Sequence, residues 1–288
     1  MGVVVNTNIS SITASRILSE NRADLEKAME RLASGKRINS AADDAAGMAV
    51  AAKMRADIGS LNQSVRNTND AISLVNTYDG AAQEIENILI RMRELAVQSK
   101  NGTYETADRT NANFEYTALK NEITRIAGVS AFNRMTVGQG SSGAAGGTGV
   151  ADTTFTFYVG SDVAKTGNSI AFAAKALDLN LAVSSGTLNS VVDTASAGQA
   201  IATLDDAITE LAANRAQAGA LINRLEHTVS NLMNVSQRLQ EAVSGIEDAD
   251  YAAESANLAR GMVLAQAGTA MLAQANQAPQ YILSLLRG

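Results

Sequence analysis

The sequence predicts a mainly α fold in which long antiparallel helices form a coiled-coil or helical-bundle rod, accompanied by a small β-hairpin region. Three observations support this prediction. Apolar residues recur at alternating steps of three and four over two long stretches, which is typical of a coiled-coil seam. The 288 residues include one proline, so little interrupts a long helix. The middle of the chain, at 138–198, is instead rich in glycine, serine and threonine.

The first long seam lies between residues 61 and 96. Its members are Leu61, Val65, Thr68, Ile72, Val75, Asp79, Ala82, Ile85, Leu89, Met92 and Ala96. Asn101-Gly102 follows and predicts a turn. A further helix is expected at about 105–128, with Tyr116, Leu119, Ile123 and Ile126 on its apolar face. Such helices bury their apolar stripes against one another, which favours a bundle.

The middle segment opens with a glycine tract and continues with a predicted hairpin. Six glycines fall within residues 138–149, which is typical of a flexible connection. Apolar and polar residues then alternate at 154–159, which predicts a strand, and 169–172 is a candidate return strand. Gly138, Gly140 and Gly143 also spell G-x-G-x-x-G, but no helix follows them, so we interpret them as a linker.

The second long seam lies between residues 201 and 239. Its members are Ile201, Leu204, Ile208, Leu211, Arg215, Ala218, Ile222, Leu225, Val229, Leu232, Ser236 and Leu239. At 1.5 Å per residue this seam extends roughly 60 Å. Few compact domains contain a helix of that length, so the pattern indicates an extended coiled coil.

The two ends of the chain carry separate apolar stripes. One comprises Ile17, Leu18, Leu25, Met29 and Leu32, and the other Leu258, Met262, Ala265, Leu272 and Asn276. No acid occurs in the 34 residues after Glu254, and Leu283, Leu285 and Leu286 lie close to the last residue. A tail of this composition would be a poor solvated surface, so we expect it to be buried against another copy.

Composition excludes several classes of partner. The net charge is -6, from 29 acids and 23 bases, whereas a nucleic-acid-binding protein needs a basic surface. The chain has no cysteine and therefore no disulfide or thiolate metal ligand. The sequence contains no run of 18 or more apolar residues, so no membrane-spanning helix is expected. Residues 1–8 lack the basic and apolar regions of a cleaved signal peptide, so none is expected.

Candidate catalytic and metal-binding residues are sparse. His227 is the single histidine, and its position between seam residues points it away from the seam. Asp43 and Asp44 are adjacent, and we interpret them as acids that complement a helix N-terminus. No motif for a nucleophile, a metal or a nucleotide phosphate is present, so we expect neither enzymatic activity nor a cofactor. Arg91, Arg93 and Glu94 lie off the seam, and spacing alone favours a solvated face over a binding face.

Several separate motifs resemble bacterial flagellins. Near the N-terminus these are NTN at 6–8, LASGKRINSAADDAAGM at 32–48, NTNDAISLVN at 67–76 and RELAVQ at 93–98. Near the C-terminus they are NRL at 223–225, NLMNV at 231–235, IEDADYA at 246–252 and LAQANQAPQ at 272–280. The resemblance is collinear over about 1–138 and 199–288, and 155–160 also resembles the strand that precedes the C-terminal half.

The resemblance implies a division of the chain. Residues 1–44 and 245–288 would pair as a coiled coil lining the filament core. Residues 45–137 and 199–244 would form a helical rod domain, and 138–198 the linker and β-hairpin, with little or no outer domain. The apolar stripes of the ends then supply the expected subunit interface: Leu18, Leu25, Leu32, Leu258, Met262, Leu272, Leu285 and Leu286.

The resemblance also implies partners and location. The protein would be exported through the flagellar type III apparatus without a cleaved signal and would polymerise at the filament tip under a cap. An export chaperone would hold about 250–288, and hook–filament junction proteins would adjoin the filament. The innate receptor of animal hosts, Toll-like receptor 5, would recognise the rod around Arg91, Leu95 and Glu115, which favours a binding face there.

Three alternatives to a filament subunit are considered. A hook–filament junction protein shares the terminal pattern, although its match is looser at 93–98 and 246–252. A soluble coiled-coil adaptor would not need an acid-free final segment. A flagellin with a metallopeptidase insert is rejected because one histidine cannot supply an H-E-x-x-H motif.

Overall fold

The computed structural model describes residues 7–138, 153–160, 167–177 and 190–287. For Thr153 and residues 278–287 it describes the backbone alone. The helices are α1 (Ile9–Ser34), α2 (Ala45–Lys100), α3 (Thr106–Val129), α4 (Thr194–Glu247) and α5 (Tyr251–Arg287). The strands are β1 (Ala131–Phe132), β2 (Met135–Thr136), β3 (Thr153–Tyr158) and β4 (Ser169–Ala174). The predicted mainly α fold with long helices is therefore confirmed.

The chain divides into two compact units. The bundle unit comprises Gly59–Ser236, and the terminal unit comprises Met1–Ile58 with Gln237–Gly288. The predicted terminal segments, 1–44 and 245–288, fall within the terminal unit.

The two predicted long seams supply much of the core of the bundle unit, and the last seam residue, Leu239, lies in the terminal unit. At least half of the seam positions on α2 and on α4 are buried, and the remaining positions are half-buried. The fully buried members include Val75, Ile85, Leu89 and Met92 on α2, and Leu204, Leu211, Ala218 and Leu225 on α4. Tyr116 and Ile123 of α3 join the same core. The heptad prediction is confirmed because these positions face the neighbouring helices.

The turn between α2 and α3 is held by side chains. Arg109 donates from Nε to the Ser99 carbonyl oxygen at 2.8 Å and from Nη2 to that of Asn101 at 3.1 Å. Glu105 and Asp108 form a capping box at the start of α3. The predicted turn at Asn101-Gly102 and the helix at about 105–128 are both confirmed.

The predicted hairpin is present as β3 and β4. The strands are antiparallel, and Phe155 pairs with Phe172. The hairpin packs on α2, where Ser64 Oγ donates to the Gly160 carbonyl oxygen at 3.0 Å. Tyr78 stacks edge-on against Phe172 with ring centroids 5.3 Å apart. The alternating side chains of the two strands therefore cover the bundle core on one face.

A second, shorter hairpin, β1–β2, was not expected from the sequence. Its turn residues Asn133 and Arg134 have φ values of 49° and 66°. Both lie in the left-handed region, where glycine or asparagine is usual and arginine is not. The strands are two residues long, too short to show an alternating pattern, so the sequence gives little sign of them.

Most of the predicted glycine linker lies outside the described residues. Gly138, at its start, is buried against α3, and a Cβ there would lie 2.7 Å from the Ala127 carbonyl oxygen. Its own carbonyl oxygen accepts from the Leu177 amide at 2.9 Å. Gly138 thus packs where a side chain would not fit, and the structure gives no support for a nucleotide-binding glycine at this position.

Candidate assembly surface

In the terminal unit, α1 and α5 run antiparallel and form what we call the terminal pair. Leu18 is buried on α1, and Leu25 and Leu32 are half-buried. On α5 the facing residues include two glycines, Gly261 against Leu25 and Gly268 against Leu18. The seven-residue spacing of both sets is that of a coiled coil, and the glycines allow close approach of the helices.

Polar contacts fix the register of the terminal pair. Asn8 Nδ2 donates to the Ala275 carbonyl oxygen at 2.7 Å, close to one end of the pair. At the other end Arg31 Nη1 lies 2.8 Å from Glu254 Oε1. The hydrogen bonds from Arg31 and then Asn257 lower the pKa of Glu254 below its ordinary value. These contacts occur at opposite ends of the seam, so they oppose a slip of one helix along the other.

A cluster of hydrogen bonds and ion pairs lies where the terminal pair joins the rest of the terminal unit. Gly35 ends α1 in the left-handed conformation, with φ 71°, and accepts from the Ala249 amide at 3.0 Å. Glu247 is buried and pairs with Arg55 at 2.8 Å and Lys36 at 3.9 Å. Asp44 accepts from the Gly47 amide at 2.8 Å, which caps the start of α2 as predicted for an acid there.

The outer faces of the terminal pair carry large apolar side chains that the other described residues leave exposed. The exposed residues are Ile9, Ile12, Ile17 and Met29 on α1, and Met262, Val263, Leu264 and Met271 on α5. A solvated helix would have polar residues at such positions. A group of large exposed apolar residues on one pair of helices is typical of an interaction site.

Part of this surface forms an apolar groove along the terminal pair, with a volume of about 490 Å³. It is lined by Ile9, Ser10, Thr13, Ala14, Ile17, Asn21, Leu264, Ala267, Gly268 and Met271. We refer to it below as the groove. Its large members come from both helices, so the groove exists only when the terminal pair is formed.

The residues predicted as a subunit interface occupy two different environments. Leu18, Leu25, Leu32, Leu258 and Leu272 are buried or half-buried along the seam of the terminal pair. Met262 is exposed on the outside of α5. Leu285 and Leu286 belong to the part of α5 whose side chains are not described.

The heptad pattern of the sequence does not identify Ile9, Ile12, Val263 or Met271. These residues lie off the stripes that were recognised, so a search for one stripe per helix passes over them. The signal that could identify them is the lack of charged residues in the sequence around them, at 9–15 and 261–277.

Arg91 and Glu115 lie together on an exposed face of the bundle unit. Arg91 Nη2 is 2.9 Å from Glu115 Oε1, and Arg91 Nη1 is 3.0 Å from Glu94 Oε2. The hydrogen bonds with Glu94 and then Glu115 raise the pKa of Arg91. Leu95, the third residue predicted at this face, is 3% exposed and lies in the core. It therefore supports the face through packing, and its side chain does not reach the surface.

One ion-pair cluster lies on the seams of the bundle unit. Arg215 of α4 pairs with Asp79 at 2.9 Å and with Glu86 at 2.5 Å, both on α2. The hydrogen bonds that Arg215 donates to Asp79 and then to Glu86 raise the pKa of Arg215. Arg215 and Asp79 were both predicted seam residues, and their opposite charges at facing positions help to fix which residues of the two helices meet.

Clusters of metal-ligand side chains and membrane-spanning helices are both absent from the described residues. His227 is exposed, as its position off the seam predicted. Among the residues that the structure describes, no three histidine or acidic side chains converge as metal ligands would. Within the same ranges, no helix combines the length and the apolar character needed to cross a membrane.

The comparisons with known proteins agree with this architecture. Residues 5–142 match the family model described as the bacterial flagellin N-terminal helical region, and 201–286 match that of the bacterial flagellin C-terminal helical region. A flagellin of Halalkalibacterium halodurans is 41% identical over 99% of this chain and 100% of its own length. A flagellar filament 33 kDa core protein of Treponema phagedenis is 38% identical over 99% of this chain and 100% of its own length.

A solved structure is also similar. The crystal structure of Bacillus cereus flagellin matches 58% of this chain and 88% of its own chain, with 35% sequence identity and a TM-score of 0.47.

The long paired helices and the uncovered apolar surface of the terminal pair define a structural protein that assembles with other molecules. The chain belongs to the bacterial flagellin family. It is a structural subunit of the flagellar filament, which serves motility, and it is not an enzyme. It is of the short form, since it matches relatives over their whole length with no inserted outer domain. These findings favour the filament subunit over the junction protein and the adaptor.

Proposed function

We propose that copies of this chain add to the filament by burying the uncovered apolar surface of the terminal pair. The observation that carries the proposal is the groove, whose apolar walls remain open although the seam between α1 and α5 is filled. Fully burying a Leu, Ile or Met side chain contributes about 1.5–3 kcal/mol. Several such residues on each copy supply a strong driving force for assembly, since each lies in water in the single chain.

The proposal assigns a role to each predicted segment. Residues 1–44 and 245–288, including Leu285 and Leu286, line the filament core. Residues 45–137 and 199–244 form the rod domain, and 138–198 contribute the linker and the hairpin. The uncovered surface of α1 and α5 supports the first assignment, and the continuous core of the bundle unit supports the second.

The proposal extends to export and to the ends of the filament. The subunit leaves the cell unfolded through the flagellar type III apparatus. An export chaperone holds about 250–288 before secretion, and the cap and junction proteins contact the filament at its two ends. The exposed methionines, valine and leucine of α5 support the chaperone assignment, because such a surface needs cover before assembly.

The proposal also includes recognition by Toll-like receptor 5 of animal hosts. Arg91 and Glu115 are half-exposed, and their ion pair presents both side chains at one face. Arginine is frequent among residues that anchor interfaces.

The assembly proposal is tested by a single polar substitution in the groove. Leu264→Gln places an amide on an apolar wall, so elongation of filament seeds should slow and the critical concentration should rise about tenfold. Val235→Gln is the matched control, because Val235 has a similar exposed fraction but lies in the bundle unit. Equal elongation by Leu264→Gln and the parent, with both folded by circular dichroism, would contradict the proposal.

A further inference from the structure

Met271 is a chemically reactive group on the surface used for assembly. It is 65% exposed and lines the groove with Ile9, Ile17 and Leu264. The chain contains nine methionines and no cysteine or tryptophan. Its sulfur chemistry is therefore that of methionine alone, and exposed thioethers are oxidised far more readily than buried ones.

We propose that Met271 is an oxidative modification site at which hydrogen peroxide stops the addition of this subunit to the filament. The thioether sulfur attacks the peroxide, the O–O bond breaks and an S–O bond forms. The sulfur is oxidised by two electrons to the sulfoxide, and the peroxide is reduced to water. The inference rests on the proposed function, since it requires the groove to be buried between copies.

Oxidation changes the fit of Met271 to that buried position. The sulfoxide is polar and accepts strong hydrogen bonds, whereas most residues that line the groove are apolar, with Ser10, Thr13 and Asn21 as the polar exceptions. Burial of a polar group without a partner is unfavourable, so an oxidised subunit should need about a tenfold higher concentration to add to a filament. Addition to the filament should in turn remove Met271 from water and protect it from peroxide.

Two other methionines give internal comparisons. Met92 has no exposed surface, so it should resist oxidation while the bundle unit is folded. Met233 is 59% exposed, close to the value for Met271, but it lies on α4 in the bundle unit. Its oxidation should match that of Met271 in the monomer without the same effect on assembly.

The test uses the full-length chain with Met29→Leu and Met262→Leu as the parent, because those two methionines are also exposed on the terminal pair. It compares this parent with the same chain carrying Met271→Leu or Met233→Leu. Monomers of each are treated with hydrogen peroxide, oxidation is mapped by mass spectrometry, and elongation of untreated parental seeds is measured. Peroxide should reduce elongation by the parent and by Met233→Leu alike, and should leave Met271→Leu elongating. Treatment of the oxidised parent with methionine sulfoxide reductases A and B should restore growth.

Each outcome decides the inference. Equal loss of elongation by oxidised Met271→Leu and oxidised parent would overturn it, as would a parent that still elongates with Met271 fully oxidised. Met271 that stays reduced at a dose oxidising Met233 would also overturn it. If untreated parent fails to elongate seeds, the proposed function fails, and the inference fails with it. If untreated parent elongates but oxidation has no effect, only the inference fails.

Discussion

The bundle unit and the terminal pair are built from the same heptad pattern but differ in how many layers of structure share a core. In the bundle unit, α2, α3, α4 and the β3–β4 hairpin converge on a core that includes the fully buried Tyr78 and Tyr116. In the terminal pair, Leu18 is the one large apolar side chain buried among those described, and two glycines face α1. A two-helix contact of this kind buries too little apolar surface to be stable by itself.

The difference shows that a heptad repeat specifies which face of a helix is buried but does not specify what buries it. In the bundle unit the partners are other helices of the same chain. In the terminal pair the residues next to the seam, such as Ile17 and Met271, are exposed to water and are available to contact another copy. The first region should therefore fold alone, whereas the second should become stable on assembly.

The largest expected effect comes from deleting residues 250–288. The deletion removes α5 and with it one wall of the groove, so we expect no filament growth on seeds. The bundle unit keeps its whole core and should remain soluble and helical by circular dichroism. A deletion variant that still elongates seeds would contradict the account, and one that precipitates as unfolded chain would show that the two regions do not differ as proposed.

A pair of matched core substitutions compares the two regions directly. Leu89→Ala in the bundle unit should lower the free energy of unfolding by about 2–5 kcal/mol, because it leaves a cavity in a closed core. Leu18→Ala removes the same atoms from the terminal pair but should change the unfolding of the monomer by less than about 1 kcal/mol, since that pair is only marginally formed. Denaturant titration of both variants measures this. Equal losses would mean that the terminal pair is as firmly folded as the bundle unit.

Arg91→Ala tests whether the bundle unit functions without the terminal pair. The substitution should weaken receptor signalling by a factor corresponding to about 2 kcal/mol, as expected for an interface arginine, with the fold retained. The reduction should be the same in the full chain and in the chain lacking 250–288, because Arg91 and its partners lie in the bundle unit. Undiminished signalling by the variant monomer would remove Arg91 from the proposed recognition face.

The smallest expected effect concerns acid. The pKa of Glu254 is lowered by Arg31, so this contact stabilises the terminal pair above the ordinary pKa of about 4.5 and is lost as the pH falls below that value. Glu254→Gln should show a smaller loss of helix content on acidification, measured by circular dichroism of the monomer. Glu20→Gln is the control, because the Arg16–Glu20 pair is exposed and contributes little. Identical acid titrations for Glu254→Gln and the parent would assign no role to the contact.

The sequence predicts those features of the fold that repeat along the chain. The three-four steps around Leu89 and Leu211 identify the buried faces of α2 and α4, and the alternation around Phe155 identifies β3. The short β1–β2 hairpin escapes prediction because its strands are two residues long and Arg134 adopts a left-handed conformation that its own preference disfavours. The sequence does not show which helices pair, or that Arg215 pairs with both Asp79 and Glu86. These contacts depend on the three-dimensional register, which no local pattern encodes.

The candidate site is predicted less completely than the fold. Leu18 and Leu25 are found from their spacing, yet they fill the seam within the chain. Ile17 was found as part of a stripe, whereas Met271 became evident only once the terminal pair showed which sides of α1 and α5 stay open. Leu95 carries a role by family resemblance, but its spacing on α2 places it in the core.

Amide hydrogen exchange of the monomer and of the filament tests the central claim most directly. In the monomer at high dilution, about 1–40 and 250–288 should exchange rapidly, as a disordered or briefly helical segment does, while the bundle unit stays protected. In the filament the same end segments should become protected, because neighbouring copies bury the groove and the outer faces of α1 and α5. Strong protection of both ends in the dilute monomer, or their continued rapid exchange in the filament, would contradict the account.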